Sequence, residues 1–173
     1  GHLVLLCKNR VGYRNLCRLV STAYQDGFYY RPRIDWDLLS DNNEGLIALT
    51  ACLGGEIPNL ICRGRVDHAR QRAEEMSRVF DNNRLYLELQ ENFLAEQEVA
   101  NKGLIDIGKQ LGLPLVATND CHYLTRDDAF AHEVLLCIQT GKTMDDPNRM
   151  RFANEEFYVK TPDEMSELFK AIP

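Results

Sequence analysis

Four short apolar runs, each followed by a stretch of helical character, set the strongest limit on how this 173-residue chain folds. The runs are residues 3–7 (LVLLC), 46–50 (LIALT), 85–89 (LYLEL) and 115–118 (LVAT). Short apolar runs bounded by turn residues suit buried strands of an α/β protein. Helical patterns fill the gaps over residues 12–25, 68–80, 94–111 and 125–140, and a last one spans 161–169. Gly112, then Pro114, marks a helix stop, and Gly141 ends the fourth pattern. Thr161, Pro162 and Glu164 form a capping box with proline at the first helical position. Strand and helix in alternation mean parallel βα units, either an open sheet or part of a barrel.

Composition narrows the class. With 20 basic and 26 acidic residues the net charge is -6, which argues against holding nucleic acid by overall field alone. It leaves room for a small metal-centred site that receives a nucleotide end. No apolar run approaches a membrane span, and no secretory leader is visible. Cys7, Cys17, Cys52, Cys62, Cys121 and Cys137 form no CxxC clip, and most sit in apolar runs. Buried thiols in a reducing cytoplasm are the expectation. Gly1-His2 opens directly on a strand, and Ile172-Pro173 follows closely on a helix. The expectation is a single partial domain over 1–173 that lacks its N-terminal segment.

In parallel α/β folds, chemistry collects beyond the carboxyl ends of the strands. Two such loops stand out. In Asn119-Asp120-Cys121-His122, the i, i+2 spacing puts Asp120 and His122 on one side of an extended segment. Together they can hold a divalent metal; alternatively Asp120 caps a turn and His122 is a surface residue. In Thr50-Ala51-Cys52-Leu53-Gly54-Gly55-Glu56, Cys52 is a metal thiolate or a small buried hydrophobe. Its paired glycines let backbone approach a ligand or another loop. Glu88 is a carboxylate in an otherwise apolar strand, so it needs a partner: a metal site's supporting shell or an arginine. His132 fits a core or groove histidine. Arg63, Arg65, Arg70 and Arg72 alternate with Asp67, Glu74 and Glu75, which reads as a salt-bridged face. The chain has no P-loop, GxGxxG or GxSxG, and no carboxylate pair singled out for nucleotidyl transfer. No general acid or base is singled out either.

Several segments together resemble the polymerase-and-histidinol-phosphatase (PHP) domain of bacterial polymerase III alpha subunits. They are residues 2–9 (HLVLLCKN) with 12–16 (GYRNL), 45–57 (GLIALTACLGGEI), 86–89 (YLEL), 114–123 (PLVATNDCHY) and 131–142 (AHEVLLCIQTGK). Asp145-Asp146-Pro147 and Phe157-Tyr158 follow in order. The resemblance implies a distorted βα barrel, here a portion of it, with mostly parallel strands and outer helices. It implies a cluster of divalent metal ions at the mouth, often zinc or manganese. His2, Cys52, Asp120 and His122 match ligand positions of that cluster. The family's other ligands, including its His-x-His segment, would lie upstream, so the cluster is incomplete in this chain.

Within that family the full-length protein is a DNA-directed DNA polymerase that acts on DNA with the other holoenzyme subunits in the bacterial cytoplasm. In some members the PHP region is a metal-dependent 3′–5′ exonuclease. In others it is a structural scaffold for the polymerase. A free-standing PHP phosphatase is a third alternative, and this chain alone is expected to be inactive. One geometric tension remains. His2 precedes its strand, whereas Cys52 and the Asp120–His122 pair follow theirs. Either the first strand runs against the others, or the barrel is irregular.

Overall fold

The structure, a computed structural model, describes residues 1–81 and 83–172, so Pro173 of the expected 1–173 domain lies outside the described residues. In chain order the elements are β1 (Val4–Cys7), α1 (Arg10–Gln25), α2 (Trp36–Asp41), β2 (Leu46–Leu49), α3 (Glu56–Cys62) and α4 (Val66–Val79). Next come β3 (Leu85–Leu89), α5 (Ala95–Leu111), β4 (Leu115–Ala117), α6 (Ala129–Thr140) and α7 (Pro162–Phe169). A 3₁₀ turn, Arg126–Asp128, leads into α6.

The strands form one open sheet in the order β1-β2-β3-β4. β2, β3 and β4 run parallel, with Leu49 opposite Tyr86 and Glu88 opposite Val116. β1 runs antiparallel to β2, with Val4 opposite Leu49 and Cys7 opposite Leu46. This resolves the tension noted above. The start of an antiparallel strand lies at the carboxyl end of its neighbour, so His2 falls where Cys52 does.

Alternation along the strands divides the sheet into two faces. Leu46, Ala48, Leu85, Leu87 and Leu89 pack into one buried cluster with Leu19, Ile57, Ile61, Ala69, Ala73, Phe80, Leu104 and Ile107 from the helices. The opposite face is barer at its β1 edge, where Leu6 is 49% exposed. The expectation of four buried strands therefore fails at both edges: β1 has one covered face, and in β4 Leu115 and Val116 are half-buried and Ala117 is exposed. The expectation of buried thiols fails with it. Cys7, Cys17, Cys62 and Cys121 are exposed and Cys52 is half-buried; Cys137 is buried. Cys7 lies on the edge strand, and an apolar run does not show which strands will be edges.

Local signals explain most helix limits. The Asn9 side chain accepts from Gly12 N–H and starts α1. Gly112 and Gly141 close α5 and α6 in the left-handed region, at φ 66° and 65°. The Thr161–Glu164 capping box with Pro162 opens α7. Two short helices carry too little periodicity to be foreseen. α2 is held by Asp35, whose side chain accepts from Leu38 N–H. α3 tolerates Pro58 because its first turn has no intrahelical donors to lose. On α4 and its flanks, Arg70–Asp67, Arg72–Glu75 and Arg78–Glu74 pair as the charge pattern indicates.

Candidate metal centre

The first half of the site sits where β1 begins and β2 ends. His2 N–H donates to Gly54 C=O at 2.8 Å, and His2 bridges Gly55 in parallel fashion. This brings Cys52 Sγ to 3.6 Å from His2 Nδ1. The turn between β2 and α3 is tight. Ala51 takes φ +62°, a left-handed conformation that costs a non-glycine residue about 1 kcal/mol or more. Gly55 has its Cα so near Thr50 that an added Cβ would lie 2.1 Å from the Thr50 carbonyl oxygen.

The second half follows β4. Asp120 Oδ1 lies 3.5 Å from His122 Nε2. The backbone that achieves this is a turn, closed by Cys121 N–H donating to Asn119 C=O at 2.7 Å. The expectation of an extended segment is thus corrected, although the two side chains do converge. The turn is moored to residues 157–159. His122 N–H donates to Phe157 C=O, Val159 N–H donates to Leu124 C=O, and the Asn119 amide donates to Tyr158 C=O. Around His122 stand His132 and Phe152, with ring centroids 5.6 and 4.7 Å away. Burial holds the His132 imidazolium pKa below its usual range, and the nearby charge of His122 adds to this. His132 is half-buried in this aromatic cluster, as the sequence reading has it.

Glu88 joins the two halves. Its side chain is buried in β3 and accepts the Ala51 N–H at 2.9 Å. Its other oxygen accepts from Thr118 Oγ1 and from the Gln90 amide. In return, Glu88 N–H donates to Thr50 Oγ1 at 2.8 Å. Among the described residues no arginine pairs with it, so of the two alternatives left open the arginine is not seen. Behind it, Asn101 donates to Gln90 C=O and Gln97 donates to Asn101, so buried polar groups on α5 brace the end of β3.

Both donor pairs have the right spacing for a shared ion. Tetrahedral zinc with bonds of about 2.3 Å to sulfur and about 2.0–2.1 Å to nitrogen or oxygen sets ligands about 3.4–3.6 Å apart. The observed 3.6 and 3.5 Å match this. Each pair supplies two donors only. Among the described residues, no three His, Cys, Asp or Glu side chains gather closely enough to hold a metal by themselves. The structure thus brings His2 to Cys52 and Asp120 to His122, and it does not bring all of them into one ligand sphere.

An α/β sheet with donor pairs at one end of its strands defines a class, and comparison with known proteins identifies it. The model of the PHP domain matches residues 1–92, and the chain belongs to that family. It is similar over nearly all its length to proteins named DNA polymerase III subunit alpha. Identity is 46% with that of Borreliella burgdorferi over 99% of this chain, and 51% with that of Thermus aquaticus over 95%. With that of Treponema pallidum it is 43% over 99%. The chain spans 15, 13 and 15% of these three relatives. No helix among the described residues is long and apolar enough to cross a membrane.

Proposed function

We propose that this chain is the metal-binding part of a PHP phosphoesterase region within a bacterial replicative DNA polymerase, and that the region removes nucleotides from 3′ ends. The observation that carries this is the antiparallel β1. It puts the His2–Cys52 pair at the same end of the sheet as Asp120–His122. In this reading His2, Cys52, Asp120 and His122 are ligands, and further donors come from other parts of a much longer protein. Zinc suits the nitrogen, sulfur and oxygen donor set, while manganese would be held mainly by oxygen donors such as Asp120. Such ions lower the pKa of water and neutralise charge on a phosphodiester.

The chain's own residues hold the donors in place. Glu88 fixes the Ala51 turn and so the reach of Cys52, and residues 157–159 fix the Asp120–His122 turn. The whole protein is a DNA-directed DNA polymerase whose partners are DNA and the other subunits of the replicative holoenzyme, in the bacterial cytoplasm. The similarity to polymerase III alpha subunits supports this.

The test uses the full-length protein with a 3′-labelled single strand and added zinc or manganese. Hydrolysis from the 3′ end, lost in both Cys52→Ala and His122→Ala, is expected. Bound metal without hydrolysis would replace the enzyme with a scaffold whose metals serve stability.

A further inference from the structure

A cleft of about 570 Å³ opens beside the Asp120–His122 pair, between the first half of α6 and residues 151–155. That volume lies within the range of small-molecule sites. Tyr123, Phe130, His132 and Phe152 line it, together with Arg151 and Glu155. Two of these groups pack on His122 of the candidate metal pair: Phe152 with centroids 4.7 Å apart and His132 with centroids 5.6 Å apart, and Phe152 and His132 pack on each other at 4.8 Å. Phe130 is 69% exposed, a large apolar ring turned to solvent at the rim. Arg151 is exposed and has no carboxylate partner among the described residues.

Both walls are anchored. Arg149 ties residues 144–149 to α6 through Glu133 at 2.9 Å, which neutralises the Glu133 carboxylate on the cleft wall. The Asn154 amide donates to Asn92 C=O at 2.7 Å and fixes the other wall. Among the described residues that line the cleft, Glu155 and Arg151 then leave one carboxylate and one guanidinium. Net charge therefore does not select a bare anion here. Aromatic faces with a single guanidinium suit a flat, π-bearing group that carries a phosphate.

We infer that this cleft binds the terminal base of a single-stranded nucleic acid, stacked on Phe130 and Phe152, with Arg151 on the adjoining phosphate. The inference rests on the phosphoesterase reading for the identity of the ligand and names the subsite that presents the strand end to Asp120 and His122. Stacking of a base on an aromatic side chain tolerates any sequence, as a nuclease acting on every terminus requires.

The experiment uses the full-length protein in chelator, where no hydrolysis occurs, and a short single strand ending in 5-iododeoxyuridine as a photocrosslinking probe. Crosslinks are expected in the peptides that contain Phe130 or Phe152. Phe130→Ala should weaken capture about tenfold, and a strand ending in an abasic sugar should compete about tenfold less well than one with a base, in line with the known strength of base stacking. Ile138→Ala, an exposed change on the same helix away from the cleft, is the control. Crosslinks wholly outside residues 121–159, with unchanged capture by Phe130→Ala, would overturn the inference. Hydrolysis with metal added is scored separately. Crosslinks at these rings without hydrolysis under any metal would sink the phosphoesterase reading and leave the base site standing. Hydrolysis without such crosslinks would do the reverse.

Discussion

The carboxylate of Glu88, buried in the middle of the sheet, accepts the backbone N–H of Ala51 at 2.9 Å. That bond crosses from β3 to the turn after β2 and holds Ala51 at φ +62°. Cys52, the next residue, is thereby set against His2. With Thr118 on its other oxygen, Glu88 fixes both loops that carry candidate ligands.

Removal of this carboxylate leaves the buried Ala51 N–H and the half-buried Thr118 hydroxyl without their acceptor. Glu88→Ala should lower stability by about 2–4 kcal/mol, since each orphaned polar group costs about 1–3 kcal/mol and a small cavity is left. Glu88→Gln keeps an acceptor for Ala51 and should cost about half as much. Denaturant unfolding of the two variants checks this. Equal losses would show that the hydrogen bonds are not what Glu88 contributes.

Gly55→Ala puts a Cβ 2.1 Å from the Thr50 carbonyl oxygen, so backbone must move. The expected cost is about 2–3 kcal/mol, in the range of overpacked sites. Because His2 bridges Gly55, the shift should also separate His2 from Cys52. Thiol-reagent kinetics at Cys52, followed by peptide mapping, should change in the variant. An unchanged rate and an unchanged Tm would refute the tight turn.

Acid should loosen α7. Hydrogen bonds from the Tyr158 hydroxyl, then from the Thr161 backbone and hydroxyl, depress the Glu164 carboxyl to about 2. A depressed carboxylate contributes stability that is full above its unfolded value of about 4.5 and is lost as pH falls toward 2. Thermal unfolding between pH 6 and pH 2.5 should therefore show a shallower acid decline for Glu164→Gln than for the parent. Parallel curves would contradict the assignment.

Much of this was legible in the sequence because it rests on local signals. The capping box at Thr161, the glycine stops at Gly112 and Gly141 and the apolar runs gave most helices and all four strands near their observed limits. The parallel course of β2, β3 and β4 followed from the alternation of strand and helix. The direction of β1 was left open, because residues 3–7 read the same whichever way the strand runs. Asp120 and His122 were paired by type and spacing and their side chains do converge, but across a backbone closed by the Cys121–Asn119 bond instead of an extended one. Glu88 was flagged as a misplaced charge, while its partners lie 37 and 30 residues away and leave no trace in local pattern. His132, Phe152 and Phe157 went unrecognised as neighbours of His122 for the same reason, since these contacts join residues well apart in the chain.

The most direct test of the central claim is cobalt substitution of the full-length protein, read by its absorption spectrum. Cobalt binding is predicted to show a thiolate-to-metal charge-transfer band that Cys52→Ser abolishes. His2→Ala and His122→Ala should lower the bound metal by at least about tenfold in affinity, as loss of groups that only support ligands already costs about 10–100-fold. A cobalt-bound protein whose spectrum is the same with and without Cys52, or a folded protein that binds no metal, would contradict the assignment of His2, Cys52, Asp120 and His122 as ligands.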